Sequence, residues 1–474
     1  MNVRAKQSKV KSYGKTALEK RWKEDKKARV LAKKQRMMYC NQYKDQLDEE
    51  MKKLFEPTTY NKMNQRQDDS VNIFRWSIDE RANIYSKPIE RKFVTTQITE
   101  EGPVNVHTAH IEEMPEVDMA LDKATKWAEA MGECLIRPTW QGGRLQLLLY
   151  PRDCFYAECD PQDPLKLILV VIEHTNSEGN TTHYEVWTQD DYAIYNTGWN
   201  KIDTTKEARY SHLPEENIFG FVPFFVMHFE YPAAEFWHPY ASQDLYSACL
   251  DLAVALTDYN HIKHYQSYLL LFIKKDGNSD SKAGVIKSDA GAFIEGSGPN
   301  ADAKVLNMQA NLLNHLEVIL KKAQFTLGLR GLRPTIMHGD TQVESGFALM
   351  VREHKKLEYH SKLRQLRTID EQYMWRLCRE IIPIEGGPEI PEGQLMIDWP
   401  EIGPGGNPIE LAQYVQTLQG ILSPQQMLRE IGKNENEVQK ILAELDARPV
   451  EGAVNTPGVP TGTNHGQNGP GGEM

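Results

Sequence analysis

A helix too long for an ordinary domain dominates this sequence. From Ser345 the pattern stays helical to about Ile382 and stops before Pro383. Roughly 38 residues is about three times the mean helix length. A single globular domain seldom needs such a helix, whereas an assembly spanned by radial spokes does. Two more rods precede it. Between Ala241 and Leu270, the residues Leu245, Cys249, Leu252, Leu256 and Tyr259 alternate spacings of four and three, the seam of a helix packed lengthwise on neighbours. Ala310–Leu327 follows with Leu312, Leu313, Leu316, Ile319, Leu320, Ala323 and Leu327 on one side.

What separates the rods is as telling as the rods. Residues 274–309 are rich in Gly, Ser, Asp and Asn, with short β-prone pieces at Gly284–Lys287, Ala292–Glu295 and Lys304–Leu306. The pattern predicts a helical hairpin with a small β-rich body at its tip. The second rod gives way to GLRGLRPTIMHGDTQV, residues 328–343, where three glycines and a proline break the helix. Arg330, Arg333 and His338 sit there among Leu329, Leu332, Ile336 and Met337. A plain connector of this length is unusual, so the loop reads as functional.

Upstream, the periodicity is that of strands. Cys134–Trp140 and Arg144–Tyr150 flank Gly142-Gly143, and Leu165–Glu173 and Thr181–Thr188 flank a second turn. With Tyr192–Thr197 and Phe221–Phe229 they predict an antiparallel β lobe of about 100 residues, and a helix is expected near Met114–Ala130. Residues 16–56 read as one long, mostly charged helix, stopped by Pro57, with Leu18, Trp22, Val30, Met37, Met38, Tyr43, Leu47, Met51 and Leu54 as an imperfect stripe. A helix so polar is expected to lie on a partner or another subunit. At the other end, Gln394–Trp399 is a short strand, Gly403–Gly406 a joint, and Ser423-Pro424 a helix start; 449–474, with 11 Gly and Pro, reads as a tail without a core.

Charge is distributed unevenly over the 474 residues. The net of −11 hides a +11 segment at 1–40, which leaves −22 on the remainder. The basic arm reads either as a contact for nucleic acid or a partner, or as a solvated helix end. The acidic body argues against a broad grip on a nucleic-acid backbone. The longest apolar runs, Leu167–Ile172 and Leu269–Ile273, are far short of a membrane span, and the basic N-terminus lacks the apolar core of a secretory signal. A soluble protein with no membrane partner is expected.

Catalytic signatures do not emerge. No phosphate-binding loop, dinucleotide fingerprint, nucleophile elbow or HExxH pair occurs. His261 and His264 are three apart on a predicted helix with only Asp258 nearby, and His354 and His360 are similarly isolated. Cys154 and Cys159 have no second pair to complete a zinc site. The six cysteines are read as reduced thiols. Phe221, Phe224, Phe225 and Phe229 could serve as a base-stacking platform, but their apolar setting reads as core. No enzyme activity and no cofactor is expected.

The order of these elements resembles that of the portal, or head–tail connector, proteins of tailed double-stranded-DNA phages. The resemblance spans about residues 70–446. It rests on Gly220-Phe221-Val222-Pro223-Phe224 closing the β lobe and a helix beginning near Tyr240–Leu245. The break near Lys274 and the return helix add to it, as do Glu344-Ser345-Gly346-Phe347-Ala348-Leu349 heading a long helix with Lys355, Lys356 and Leu357, and the strand, Gly-Pro joint and Gly420-Ile421-Leu422-Ser423 near the end. It implies an α+β, mainly helical chain with a basic N-terminal helix (1–56), a wing with the β lobe (57–240), stem helices (241–273 and 310–327), a clip (274–309), a tunnel loop (328–343), a bridging helix and wing strand (344–400), a crown (401–446) and a tail (447–474).

The implied role is a ring of about twelve subunits at one capsid vertex, through which DNA is packaged and ejected. The implied partners are copies of the chain itself, the major capsid and scaffold proteins, the terminase large subunit, the head–tail adaptor and the DNA in the channel. The implied place is the virion, after assembly in the bacterial cytoplasm. Arg330, Arg333, His338, Lys321 and Lys322 become candidates for the channel, and Lys274, Lys275, Asp276, Lys282, Lys287 and Lys304 for docking at the clip. Twelve acidic copies would repel DNA phosphates, which suits a passage whose cargo must slide. The basic helix is not placed by the family pattern. Rival readings are a nucleic-acid-binding or scaffold-contacting protein acting through that helix, and a metal-dependent hydrolase using His261 and His264.

Overall fold

The computed structural model describes residues 14–99, 102–111, 114–203, 216–233, 235–266, 270–275, 293–297, 303–306, 312–332 and 346–400. The chain divides into two units, 1–344 with 348–400 and 345–347 with 401–474, and the described residues lie almost wholly in the first. In chain order the helices α1 (Lys15–Glu24), α2 (Lys26–Tyr39), α3 (Lys44–Leu54), α4 (Pro57–Met63) and α5 (Ile73–Arg81) come first. Strands β1 (Glu90–Thr99) and β2 (Gly102–His110) precede α6 (Pro115–Met131). There follow β3 (Glu133–Gln141), β4 (Arg144–Pro151), β5 (Phe155–Asp160), β6 (Asp163–Thr175), β7 (Thr181–Thr188), β8 (Tyr192–Tyr195) and β9 (Phe225–His228). Next are α7 (Gln243–Gln266), β10 (Leu270–Lys275), β11 (Phe293–Ser297), β12 (Ala303–Leu306), α8 (Leu312–Leu329), α9 (Gly346–Ile384) and β13 (Gln394–Asp398). Helices with mainly antiparallel sheets make an α+β chain.

The β lobe is two sheets, β4-β3-β9 and β5-β6-β7-β8, each antiparallel throughout. Their facing sides close on Leu135, Phe155, Val170, Ile172, Trp187, Tyr192, Phe224 and Val226. Phe224 and Phe225 are therefore core residues, as the apolar setting of the phenylalanines implied. The last strand starts only at Phe225, later than Phe221. Pro223 has no N–H for a ladder, and Phe224 N–H turns back to the Val222 carbonyl at 2.8 Å. A third sheet, β13-β1-β2, pairs the strand near residue 396 with one near residue 92, across about 300 residues of chain.

The N-terminal segment departs from the expected single helix. It breaks at Asp25 and again after Tyr39, where Asn41 adopts φ 58°. The Asn41 N–H reaches the Met38 carbonyl and the Gln42 N–H the Met37 carbonyl, a left-handed helix stop that asparagine tolerates. Pro57 does not merely stop a helix; it opens α4. Nor is the segment reserved for a partner, for it is built into its own chain. Leu18 and Trp22 pack on the outer face of β6 and β7 with Leu169, Val171, Tyr184 and Trp199. Met38, Tyr43, Leu47 and Met51 join α5, α7 and α8 in a helical core. Val30 and Leu54 of the stripe remain exposed.

An alternating run of ions ties this segment down. Glu173 meets Arg29 at 3.5 Å, Arg29 meets Asp25 at 3.3 Å, Asp25 meets Arg152 at 2.5 Å, and Arg152 stands 3.3 Å from Glu133. The Arg29 and Arg152 guanidiniums also lie over the Trp22 and Trp237 rings at 3.4 and 3.9 Å.

Helix α9 is a spine. At 39 residues and 1.5 Å per residue it extends about 58 Å. It runs two residues beyond Ile382, through Pro383. Its inner face is apolar (Leu363, Met374, Trp375, Cys378, Ile381, Ile382) yet also carries buried charges. Glu371 takes two bonds from Arg91 of β1, at 2.5 and 3.1 Å, and one from the Tyr85 hydroxyl at 3.0 Å. Arg367 donates to the His228 carbonyl at 2.8 Å, and Lys356 reaches Glu80 of α5 at 2.5 Å. A buried charge is tolerated only when paired, so each bond fixes the helix to a different element.

Candidate functional site

The paired helices α7 and α8, with the small sheet between them in sequence, hold most of the described residues singled out from the sequence. Leu245, Cys249 and Leu252 of α7 are buried, and Leu256 and Tyr259 pack against the same core, so the seam faces inward. On α8 the inward residues are Ile319, Ala323 and Leu327. Leu313 is not among them; it points outward.

The outward side of α8 is also apolar. Val318 is 64%, Phe325 70% and Leu329 71% exposed. At 100° per residue these three fall within about 40° of one another, opposite the buried side. Polar residues flank them: Lys321 pairs with Glu317 one turn back at 2.7 Å, and Lys322 crosses to Asp251 of α7 at 3.0 Å. Both lysines are exposed.

Helix α8 ends in a left-handed stop. Gly331 has φ 76°, its N–H meets the Gly328 carbonyl at 3.1 Å, and Leu332 N–H meets that of Leu327 at 2.9 Å, while both leucines enter the helical core. Arg330 within this turn is nearly buried. It is ion-paired with Asp244 at the start of α7 and lies 3.9 Å from Glu129. The pairing holds the Asp244 carboxyl below its ordinary value despite burial, the largest influence, which pushes it up. Arg330 thus ties the end of α8 to the start of α7. Arg333 and His338 lie outside the described residues.

At the other end of the pair, β10 runs parallel to β11 and antiparallel to β12. Lys274 and Lys275 close β10, in register with Gly296 and Ser297, and Lys304 of β12 stands opposite Phe272. The β-prone pieces near 293 and 304 are strands, but Leu270–Lys275, expected to end a helix, is a strand too. Asp276, Lys282 and Lys287, with the expected strand at 284–287, lie outside the described residues, as does the segment 401–474.

Chemistry-bearing groups cluster elsewhere. Among the described residues two groups have metal-ligand composition, Glu133 with His228 and His238, and His174 with His183 and Glu185. In the first, Glu133 and His228 are buried beside Arg152 and Arg367, and His238 is partly exposed. Burial holds His228 well below its ordinary value, while the hydrogen bond to Glu133 raises His238. His261 and His264 belong to neither group. The six cysteines are free, and burial pushes the Cys134, Cys154 and Cys378 thiols up and that of Cys249 up to about 11, which keeps them protonated near neutrality. No helix among the described residues is long and apolar enough to cross a membrane.

Sequence reasoning missed the outward face of α8, although an apolar residue on nearly every side of 312–329 was a visible signal. It also missed both histidine groups, because His174 meets His183 and Glu133 meets His228 only through strand register, and His238 joins from the loop after β9. No family model and no curated protein matches the chain. Among solved structures, a chain from the virion of a native gene transfer agent (GTA) particle is similar, with 11% identity, a TM-score of 0.35, and coverage of 80% of this chain and 94% of that one. At that TM-score the likeness fixes neither fold nor function.

Proposed function

We propose that the chain is a portal subunit, one of about twelve in a ring whose channel passes double-stranded DNA into and out of a phage capsid. The observation that carries this reading is the outward apolar face of α8, formed by Val318, Phe325 and Leu329 on a helix already packed lengthwise on α7. An antiparallel helix pair bare on its outer side is what a stem helix offers to the next copy. Burying these side chains to the extent they are now exposed would stabilise each contact by about 4 kcal/mol, at about 1.5–3 kcal/mol per fully buried apolar side chain.

The other parts take their roles from this. The sheet β10–β12 is the clip for the terminase motor and later the head–tail adaptor, α9 is the spoke between the stem and the wing, and the β lobe with its flanking helices faces capsid and scaffold protein. Lys321 and Lys322 are the described candidates for basic rings in an acidic passage, and Arg333 and His338 belong to the tunnel loop. Arg330, held by Asp244, sets the geometry from which that loop departs. The proposed place is the virion, after assembly in the host cytoplasm, and the role is structural rather than enzymatic.

The test is the size and shape of the purified chain. Rings near 650 kDa are expected by light scattering and negative-stain imaging, against 54.3 kDa for one chain. Phe325→Glu, at an exposed position, should leave the subunit folded and abolish rings. A monomer under all assembly conditions, or rings unaffected by that substitution, sinks the reading.

A further inference from the structure

The antiparallel pairing of β6 and β7 places His174 directly opposite His183, and Glu185 lies two residues further along β7 on the same face. The imidazole rings are stacked, with centroids 4.5 Å apart and planes within 1°. His174 Nε2 stands 3.3 Å from Glu185 Oε1, and the three donor atoms all lie within 4.8 Å of one another. We propose that His174, His183 and Glu185 form a binding site for a divalent transition-metal ion of the zinc class.

The geometry is close to what such an ion requires. A tetrahedral zinc with bonds of 2.0–2.1 Å sets its ligand atoms about 3.3 Å apart, the separation already present between Nε2 and Oε1. His183 closes the set by a small movement of its ring. The neighbouring groups orient the ligands. The Thr182 hydroxyl donates to the His174 carbonyl at 3.0 Å, so its oxygen accepts from His183 Nδ1 at 2.9 Å. That bond places the proton on Nδ1 and the lone pair on Nε2, the arrangement typical of a metal-bound histidine. Trp187 Nε1 donates to the second Glu185 oxygen at 3.4 Å.

Charge balance points the same way. Glu185 is buried yet stays ionised. Burial pushes its carboxyl up, but the hydrogen bond and charge of His174, with Trp187 and His183, bring it below its ordinary value. Arg137 on the neighbouring sheet is engaged with Glu385 at 3.4 Å, and burial pushes the Tyr150 and Tyr192 hydroxyls up, so both stay neutral. On the opposite face of β6 and β7, Glu173 and Arg29 pair with each other beside Tyr184. A divalent ion held by the two imidazoles would set a positive charge beside the Glu185 carboxylate. The His174 side chain is about one-third exposed, leaving a route in and room for water on the ion. In the rival group Glu133 is already engaged, with Arg152 at 3.3 Å and the His238 N–H on its oxygens.

Metal binding here is independent of ring formation. The experiment is a Zn2+ titration of the full chain by calorimetry at pH 7.5, with Co2+ absorption as a spectroscopic readout. One equivalent should bind, and His174→Asn and His183→Gln should each weaken it by more than tenfold and remove the Co2+ bands. Thr182→Val, which removes no ligand, should weaken it about tenfold, and lowering the pH to 5.5 should weaken it further, because protons compete with the metal for its ligands. His238→Gln and His264→Gln should bind as the parent does. Far-UV dichroism and melting of each variant check folding; His174, partly exposed near a strand end, tolerates replacement. Absence of stoichiometric binding at pH 7.5, or binding unchanged in both His174→Asn and His183→Gln, overturns the proposal.

Discussion

Replacing Glu371 with Gln tests whether α9 is held by its buried charges or by its apolar face alone. Glu371 is fully buried and Arg91 is 4% exposed at its side chain, and the two make a bidentate pair that also receives the Tyr85 hydroxyl. Glu371→Gln keeps the shape and removes the charge. Breaking a buried pair costs about 3–5 kcal/mol, because the remaining ion is stranded in a low dielectric. Here Arg91 retains Asp118 at 2.7 Å, so the cost falls at the lower end, about 3 kcal/mol. Removing both partners, as in Arg91→Met with Glu371→Leu, leaves no stranded arginine but frees Asp118 of its pair, and should recover part of the loss. Urea unfolding of the parent, Arg91→Met, Glu371→Leu and the double variant gives the coupling energy, expected near 2 kcal/mol. Hydrogen exchange over residues 363–382 should rise in Glu371→Gln. A loss below about 0.5 kcal/mol, or a double variant as unstable as the sum of the singles, would refute the reasoning.

Gly132→Ala should destabilise by more than about 2 kcal/mol, since φ is 96° and a Cβ would collide with the His238 backbone carbonyl; a melting temperature equal to the parent's contradicts this. Trp22→Ala should cost about 3–5 kcal/mol and expose residues 15–39 to proteolysis, because Trp22 packs edge-on against Tyr184 and Trp199 and under Arg29. An unchanged digestion pattern would mean that α1 is dispensable. Burial, with His238 and Arg367, depresses the His228 pKa, so its contribution is present above its unfolded value of 6.5 and is lost as pH falls toward the folded value, at up to about 1.4 kcal/mol per unit. His238, raised by Glu133, acts in the opposite sense and loses its contribution as pH rises through its folded value. His228→Asn should flatten the decline in urea midpoint between pH 6.5 and 5; identical slopes would rule out His228 as its source.

Elements that declare themselves through local periodicity were legible in the sequence. The seam of α7, the length of α9 and the Gly142-Gly143 hairpin match closely, because each needs only neighbours a few residues away. The breaks at Asp25 and Asn41 were not legible, since asparagine in a left-handed stop leaves no glycine to mark it. The strand Leu270–Lys275 was hidden because a short apolar run suits either structure. Pairing of β1 with β13 and of His174 with His183 depends on contacts that no window of sequence contains. Arg330 shows the same limit: its residue type suggested a contact with DNA, while its partners Asp244 and Glu129 lie 86 and 201 residues away.

The ion run from Glu173 through Arg29, Asp25 and Arg152 to Glu133 has a consequence for synthesis. Helices α1 and α2 leave the ribosome well before their anchors, Arg152, Glu173, Tyr184 and Trp199, which come more than 100 residues later. At about 5–20 residues per second, the basic N-terminal segment waits roughly ten to thirty seconds before Trp199 exists to cover Trp22. In that interval its charged side chains keep an otherwise sticky tryptophan in solution. Arg29, which later joins the ion run, thus first helps to solubilise the segment, and α1 docks only once β7 and Trp199 have followed it.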